Sequence, residues 1–143
     1  MLDSILLVDD ENLFHLVFED ACSLLDISLD LMAINSADAA EDYFVKLLKE
    51  NKPKPDCIFV DLNIIGSSFD GIELCRRINF VHGDGVVIGI ISSSNDESEQ
   101  AKAVKAGAQF WIIKSDEIEP RLEEFIKDLD GYKERTAPFR VYK

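Results

Sequence analysis

Four short apolar runs in this chain each end in a residue that can do chemistry. Ile5-Leu6-Leu7-Val8 leads into Asp9-Asp10, and Cys57-Ile58-Phe59-Val60 leads into Asp61. Val86-Val87-Ile88-Gly89-Ile90-Ile91 leads into Ser92, and Phe110-Trp111-Ile112-Ile113 into Lys114. Three carboxyl groups, a hydroxyl and an amine are the inventory for holding a divalent cation and a phosphoryl group. Carboxylates brought together without a cation repel one another, so such a cluster invites one. Mg²⁺ suits it, being a hard ion bound by one or two carboxylates, waters and a phosphate. Each residue alone has a plainer reading. Asp9-Asp10 could cap a following helix, Asp61 could start a turn, Ser92 could belong to a polar loop, and Lys114 could be a solvated surface lysine. Their joint placement is what favours a site.

The elements that must position them follow from periodicity. Short apolar runs separated by longer helical patterns read as buried parallel strands joined by helices. Apolar residues at Leu13, Phe14, Leu16, Val17, Ala21, Leu24 and Leu25 make a helical stripe over 10–26. A second strand is expected over 27–34, then a helix over 37–50 capped by Ser36 and broken by Pro53 and Pro55. Asp70-Gly71 opens a helix that runs to residue 80. Another starts at 93–96 and stops near Gly107, and a last one covers 116–130 with Pro120 in its first turn. This β-α alternation, repeated five times, predicts an α/β, doubly wound, five-stranded parallel sheet with helices on both faces. In the flavodoxin-like order 2-1-3-4-5, strands 1 and 3 are neighbours. Asp9, Asp10 and Asp61 then share one sheet edge with Ser92 and Lys114, and functional groups gather at that carboxyl edge.

Composition bounds the alternatives. A chain of 143 residues, 47% hydrophobic and 30% charged, suits one domain with a single substantial core. The net charge of −13 argues against nucleic-acid binding, which needs a cationic surface. No apolar run approaches the roughly 20 residues of a membrane span, so no membrane partner is expected. Met1-Leu2-Asp3-Ser4 has no basic region, so no secretory signal is expected either. Cys22, Cys57 and Cys75 sit in apolar patterns and read as buried free thiols, which fits a cytoplasmic setting. His15 and His82 are isolated, and His15 within the first helix reads as structural. Phosphate-loop, zinc-protease and CxxC patterns are absent from the sequence.

Together, ILLVDDE (5–11), FVDLNI (59–64), DGIELCRRI (70–78), IISSSND (90–96) and WIIKS (111–115) resemble the receiver domains of two-component response regulators. The resemblance covers about residues 3 to 130 and divides the chain into a receiver domain, 1–130, and a C-terminal tail, 131–143. It implies that Asp61 is the phosphoryl acceptor, with Ser92 and Lys114 as its catalytic partners. It implies metal binding by Asp9, Asp10, Asp61 and the main-chain carbonyl of Asn63, with Asp10 a direct ligand and Asp9 partly through water. Ser92 would be the switch hydroxyl and Trp111 the switch aromatic. Ser115 and Ile65 replace prolines common in the family, and the stretches 61–71 and 49–56 are longer than usual.

The resulting expectation is a stand-alone, chemotaxis-type response regulator with Mg²⁺ as cofactor. It would take phosphate from a histidine kinase or histidine phosphotransfer protein and act on a downstream protein target. It would not be an enzyme in its own right, beyond possible self-dephosphorylation. The alternative is a phosphorylation-independent adaptor that binds constitutively. An aspartate-based phosphohydrolase would need a second acid two residues after the nucleophile, where Asn63 stands. The tail carries Lys133, Arg135, Arg140 and Lys143 with Tyr132, Phe139 and Tyr142, against a body of charge −16. It reads either as a frayed end or as a segment docked through its aromatics.

Overall fold

The computed structural model describes residues 4–25 and 30–143, with Asp84 described for its backbone alone. The expected helix end at Asp26 and strand start at Ile27, Ser28 and Leu29 lie outside the described residues. Among the described residues six strands and five helices alternate: β1 Ser4–Val8, α1 Asn12–Leu24, β2 Asp30–Ile34, α2 Ala37–Lys49, β3 Cys57–Asp61 and α3 Gly71–His82. After a single 3-10 turn at Gly83–Gly85 come β4 Val87–Ser92, α4 Glu97–Lys105, β5 Phe110–Ile113, α5 Glu119–Lys133 and β6 Arg140–Tyr142. Every strand pairing is parallel, and the order across the sheet is β2-β1-β3-β4-β5-β6.

Alternation along the strands divides the core in two. Leu6, Val8, Ile58, Val60, Ile88, Ile90 and Trp111 point to one face, where α2, α3 and α4 cover them. Ile5, Leu7, Cys57, Phe59, Val87, Ile91, Phe110 and Ile112 point to the other, against α1 and α5. The central strands are therefore apolar at nearly every position, because each side chain is buried whichever way it points. The helix ends follow local chemistry. Ser36, Asp70 and Asp96 accept hydrogen bonds from backbone amides in the first turns of α2, α3 and α4. Past α4 the chain turns through Gly107 at φ +98°, a conformation that costs glycine little.

The expected five-stranded sheet is corrected by the sixth strand. α5 continues to Lys133, the chain reverses with the amides of Thr136 and Ala137 donating to the Gly131 carbonyl, and β6 pairs along β5. Of the two readings of the tail, the backbone bears out docking. Phe139 and Val141 pack toward the α2–α4 face, and Tyr142 is buried on the α5 side. Three paired residues are too short a run for periodicity to announce a strand.

The carboxyl ends of β1 and β3 lie side by side, with Val8 opposite Val60, so Asp9 and Asp61 emerge together. α3 is set against that edge at closest approach, its first amide donating from Gly71 to the Leu62 carbonyl at 2.9 Å. A Cβ at Gly71 would overlap the main-chain carbonyl of Asp61. Gly71→Ala is therefore expected to destabilise the protein by about 1–3 kcal/mol, the usual cost of overpacking. Chemical denaturation measures this; an unchanged midpoint would mean that the approach of α3 to β3 is loose.

Candidate phosphoryl and metal site

Lys114 is the centre of the site. Its backbone amide donates to the Ser92 carbonyl at 2.7 Å, continuing the β4–β5 ladder one step past the strand. From there its ammonium reaches Asp9 Oδ2 at 2.8 Å, Glu11 Oε1 at 2.6 Å and Asp61 Oδ2 at 3.6 Å. The Phe14 ring lies beneath it, 4.4 Å from Nζ to the centroid. Asp9 is fully buried, and Asp61 is 7% exposed. Asp9 Oδ1 accepts from the Glu11 amide at 2.8 Å, and the Asp9 carbonyl meets His15 Nε2 at 2.6 Å. The plainer reading of Asp9-Asp10 as a helix cap does not hold: Glu11 stands at the start of α1 with no side-chain cap, and Asp9 Oδ1 accepts from the amide of Glu11 while Oδ2 faces the lysine.

The carboxylates of Asp9, Glu11 and Asp61 each place an oxygen within 4.8 Å of the others. Three anions this close, offset by one ammonium, leave a net negative cluster of hard oxygen donors. That donor set fits a divalent cation that prefers carboxylates and water. Burial first, then the Asp9 charge, with Glu11 and Asp10 adding to the rise and Lys114 opposing it, push the Asp61 carboxyl up to about 7. Burial pulls the Lys114 ammonium down, but hydrogen bonds to Asp9 and Glu11 and the charge of Asp61 outweigh it, so its pKa is raised.

Of the residues singled out from sequence, Asp9, Asp61 and Lys114 converge. Asp10 is half-buried and adds its charge to the field at Asp61, but its carboxylate is outside the close triad. Asn63 is exposed two residues beyond the end of β3. Ser92 is buried at the end of β4, its hydroxyl accepting from the Ser94 amide at 3.1 Å. Trp111 is fully buried, and its indole N–H donates to the Ser94 carbonyl at 3.0 Å. Glu11 was not among the expected residues. Its only signal was adjacency to Asp9-Asp10, where an acid also suits the start of a helix. No cis peptide occurs among the described residues, the 114–115 bond included.

The raised pKa of Asp61 has a consequence for stability. The folded protein holds this proton more tightly than the unfolded chain, so its contribution is fully present below about pH 4 and is lost as pH rises through about 7. In chelator, Asp61→Asn should be more stable than the wild type at pH 8, by roughly 2 kcal/mol. The gap should close toward pH 4. Urea denaturation at several pH values measures it, and a gap independent of pH would contradict the charge account.

A family model for the response regulator receiver domain matches residues 5–126. Among solved structures, the chain is similar to NtrX from Brucella abortus, with a TM-score of 0.78 and 24% identity. That match covers 94% of this chain and 28% of the NtrX chain, so the sequence spans little more than a quarter of that protein. It is also similar to the phosphorylated cyanobacterial phytochrome response regulator RcpA, with a TM-score of 0.71, 18% identity, and 96% and 97% of the two chains covered. The Mn²⁺-bound form of the response regulator Rcp1 gives a TM-score of 0.66 at 22% identity, covering 90% of each chain. At these identities the structural likenesses speak for the fold. No curated protein matches the sequence. The match of the family model across most of the sequence, on the fold and acidic edge described above, places this chain in the response regulator receiver domain family.

Proposed function

We propose that this receiver accepts a phosphoryl group on Asp61 from a histidine kinase or histidine phosphotransfer protein in the cytoplasm, and signals through protein contacts. The observation that carries the reading is the buried Asp61 carboxylate at the end of β3, within reach of the ammonium that also holds Asp9. An Asp61 oxygen attacks the phosphorus of a phosphohistidine. The P–N bond breaks, its electron pair returns to the imidazole, and that nitrogen takes up a proton. Lys114, a compact cation already facing Asp61, pairs with a phosphoryl oxygen. Asp9, Asp10, Asp61 and the Asn63 carbonyl would hold Mg²⁺, with Glu11 beside them. The ion would neutralise charge on the phosphoryl oxygens and lower the pKa of Asp61.

Ser92 supplies the response. Its hydroxyl can leave the Ser94 amide and donate to the phosphoryl group. That frees the loop whose Ser94 carbonyl holds the Trp111 indole, so a local charge change reaches a buried aromatic. A protein donor is supported by α1, where Leu13 and Leu16 are 75% and 63% exposed next to the acidic edge. On this reading the chain is a phosphoacceptor and not an enzyme acting on a separate substrate.

Incubation with Mg²⁺ and a small-molecule phosphodonor should add one phosphoryl group by intact mass. Asp61→Asn should gain none. Asp10→Ala should raise the Mg²⁺ concentration needed for half-labelling several-fold. Equal labelling of wild type and Asp61→Asn would overturn the assignment. A wild type that never gains mass would point to the constitutive adaptor instead.

A further inference from the structure

β6 occupies the outer edge of β5, the strand that carries the switch aromatic and ends at Lys114. Val141 pairs in register with Trp111, and Arg140 and Tyr142 pair with Phe110 and Ile112. Phe139 and Val141 pack against the same core that buries the Trp111 ring. The strand is fastened on its other face by a polar latch. Tyr142, 2% exposed, has its hydroxyl 2.8 Å from the Tyr132 hydroxyl and donates to Asp128 Oδ2 at 2.6 Å. Arg140 donates to the same carboxylate at 2.9 Å and lies over the Tyr142 ring. Beyond the strand, Lys143 lines a groove with Ser115, in the loop that follows Lys114, and with Arg121 of α5.

Trp111 is thus held from two sides, by the Ser94 carbonyl and by β6. Only the first hold depends directly on the Ser92 hydroxyl. We propose that β6 is a strap fitted to the unphosphorylated arrangement of Trp111, and that its grip on β5 weakens when Asp61 is phosphorylated. The proposal rests on Asp61 being the phosphoacceptor. When Ser92 turns to the phosphoryl group and the Ser94 loop moves, Trp111 loses its acceptor, and the surface on which Phe139 and Val141 pack shifts. Three strand residues, of which only Tyr142 is fully buried, cannot follow a moving neighbour without losing the packing that holds them. The uncovered β5 edge presents unpaired N–H and C=O groups, which suit an extended segment of a downstream protein. Coupling of this kind is reciprocal: whatever phosphorylation takes from the strap, loosening the strap returns to phosphorylation.

Hydrogen exchange on the full chain, read alongside intact mass, tests the proposal. With Mg²⁺ and phosphodonor, the amides of residues 139–142 should exchange at least about five-fold faster once the mass shows Asp61 occupied, in line with typical coupling strengths. Full phosphorylation with unchanged exchange there overturns the strap and leaves the proposed function standing. A second arm needs no phosphate. Tyr142→Phe removes the latch hydroxyl, which bonds Tyr132 and Asp128, and in the unphosphorylated protein it should red-shift Trp111 emission and speed exchange at the Ser94 amide. Unchanged emission and exchange in a variant whose β6 amides are demonstrably loosened would also overturn the strap.

Discussion

The attraction between the Lys114 ammonium and the carboxylates of Asp9 and Asp61 is the interaction on which the site depends. At 2.8 Å and an effective dielectric of about 20, the Lys114–Asp9 pair is worth about 6 kcal/mol before desolvation. Two carboxylates at the 4.8 Å limit of the triad repel by about 3 kcal/mol on the same terms. One lysine cannot cancel three acids, and burial together with the remaining imbalance holds the Asp61 proton up to about pH 7. The site is thus strained toward accepting positive charge, which is the condition a metal-dependent phosphoacceptor needs.

The fold supplies that proximity without any local contrivance. Parallel strands put all their carboxyl ends at one edge, and the order β2-β1-β3-β4-β5 seats β1 beside β3 and β4 beside β5. Asp9, Asp61, Ser92 and Lys114 each stand at or just past a strand end, so the hydrogen-bond register of a buried sheet fixes their spacing. Residues placed this way are held by the core. Those on the adjoining loops, Glu11 and Asn63, are exposed, and Glu11 is tied to the site by its ion pair with Lys114.

Sequence showed the strands and their terminal residues because both leave strong signals: apolar runs of four to six residues, each closed by a polar residue. It also showed the helix caps at Ser36 and Asp70, where a side-chain acceptor precedes an amphipathic pattern. It did not show β6. Phe139, Arg140, Val141 and Tyr142 are partnered from both sheet faces, and only the tertiary arrangement tells a three-residue strand from an aromatic tail. Nor did it show Glu11 joining the triad, since an acid at that position also suits the start of α1. The route from Ser92 through Ser94 to Trp111 was out of reach too, because it runs through a backbone amide and a carbonyl that no residue type encodes.

The most direct test of the central claim is the proton count of cation binding. Calorimetric titration with Mg²⁺ at pH 7, in two buffers of different ionisation enthalpy, measures the protons released. If burial and the neighbouring acids hold the Asp61 proton to about pH 7, binding should expel about half a proton. Release should be near zero at pH 9 and in Asp61→Asn. Proton-neutral binding by the wild type at pH 7 would show that the triad carries no such charge stress, and would contradict the account.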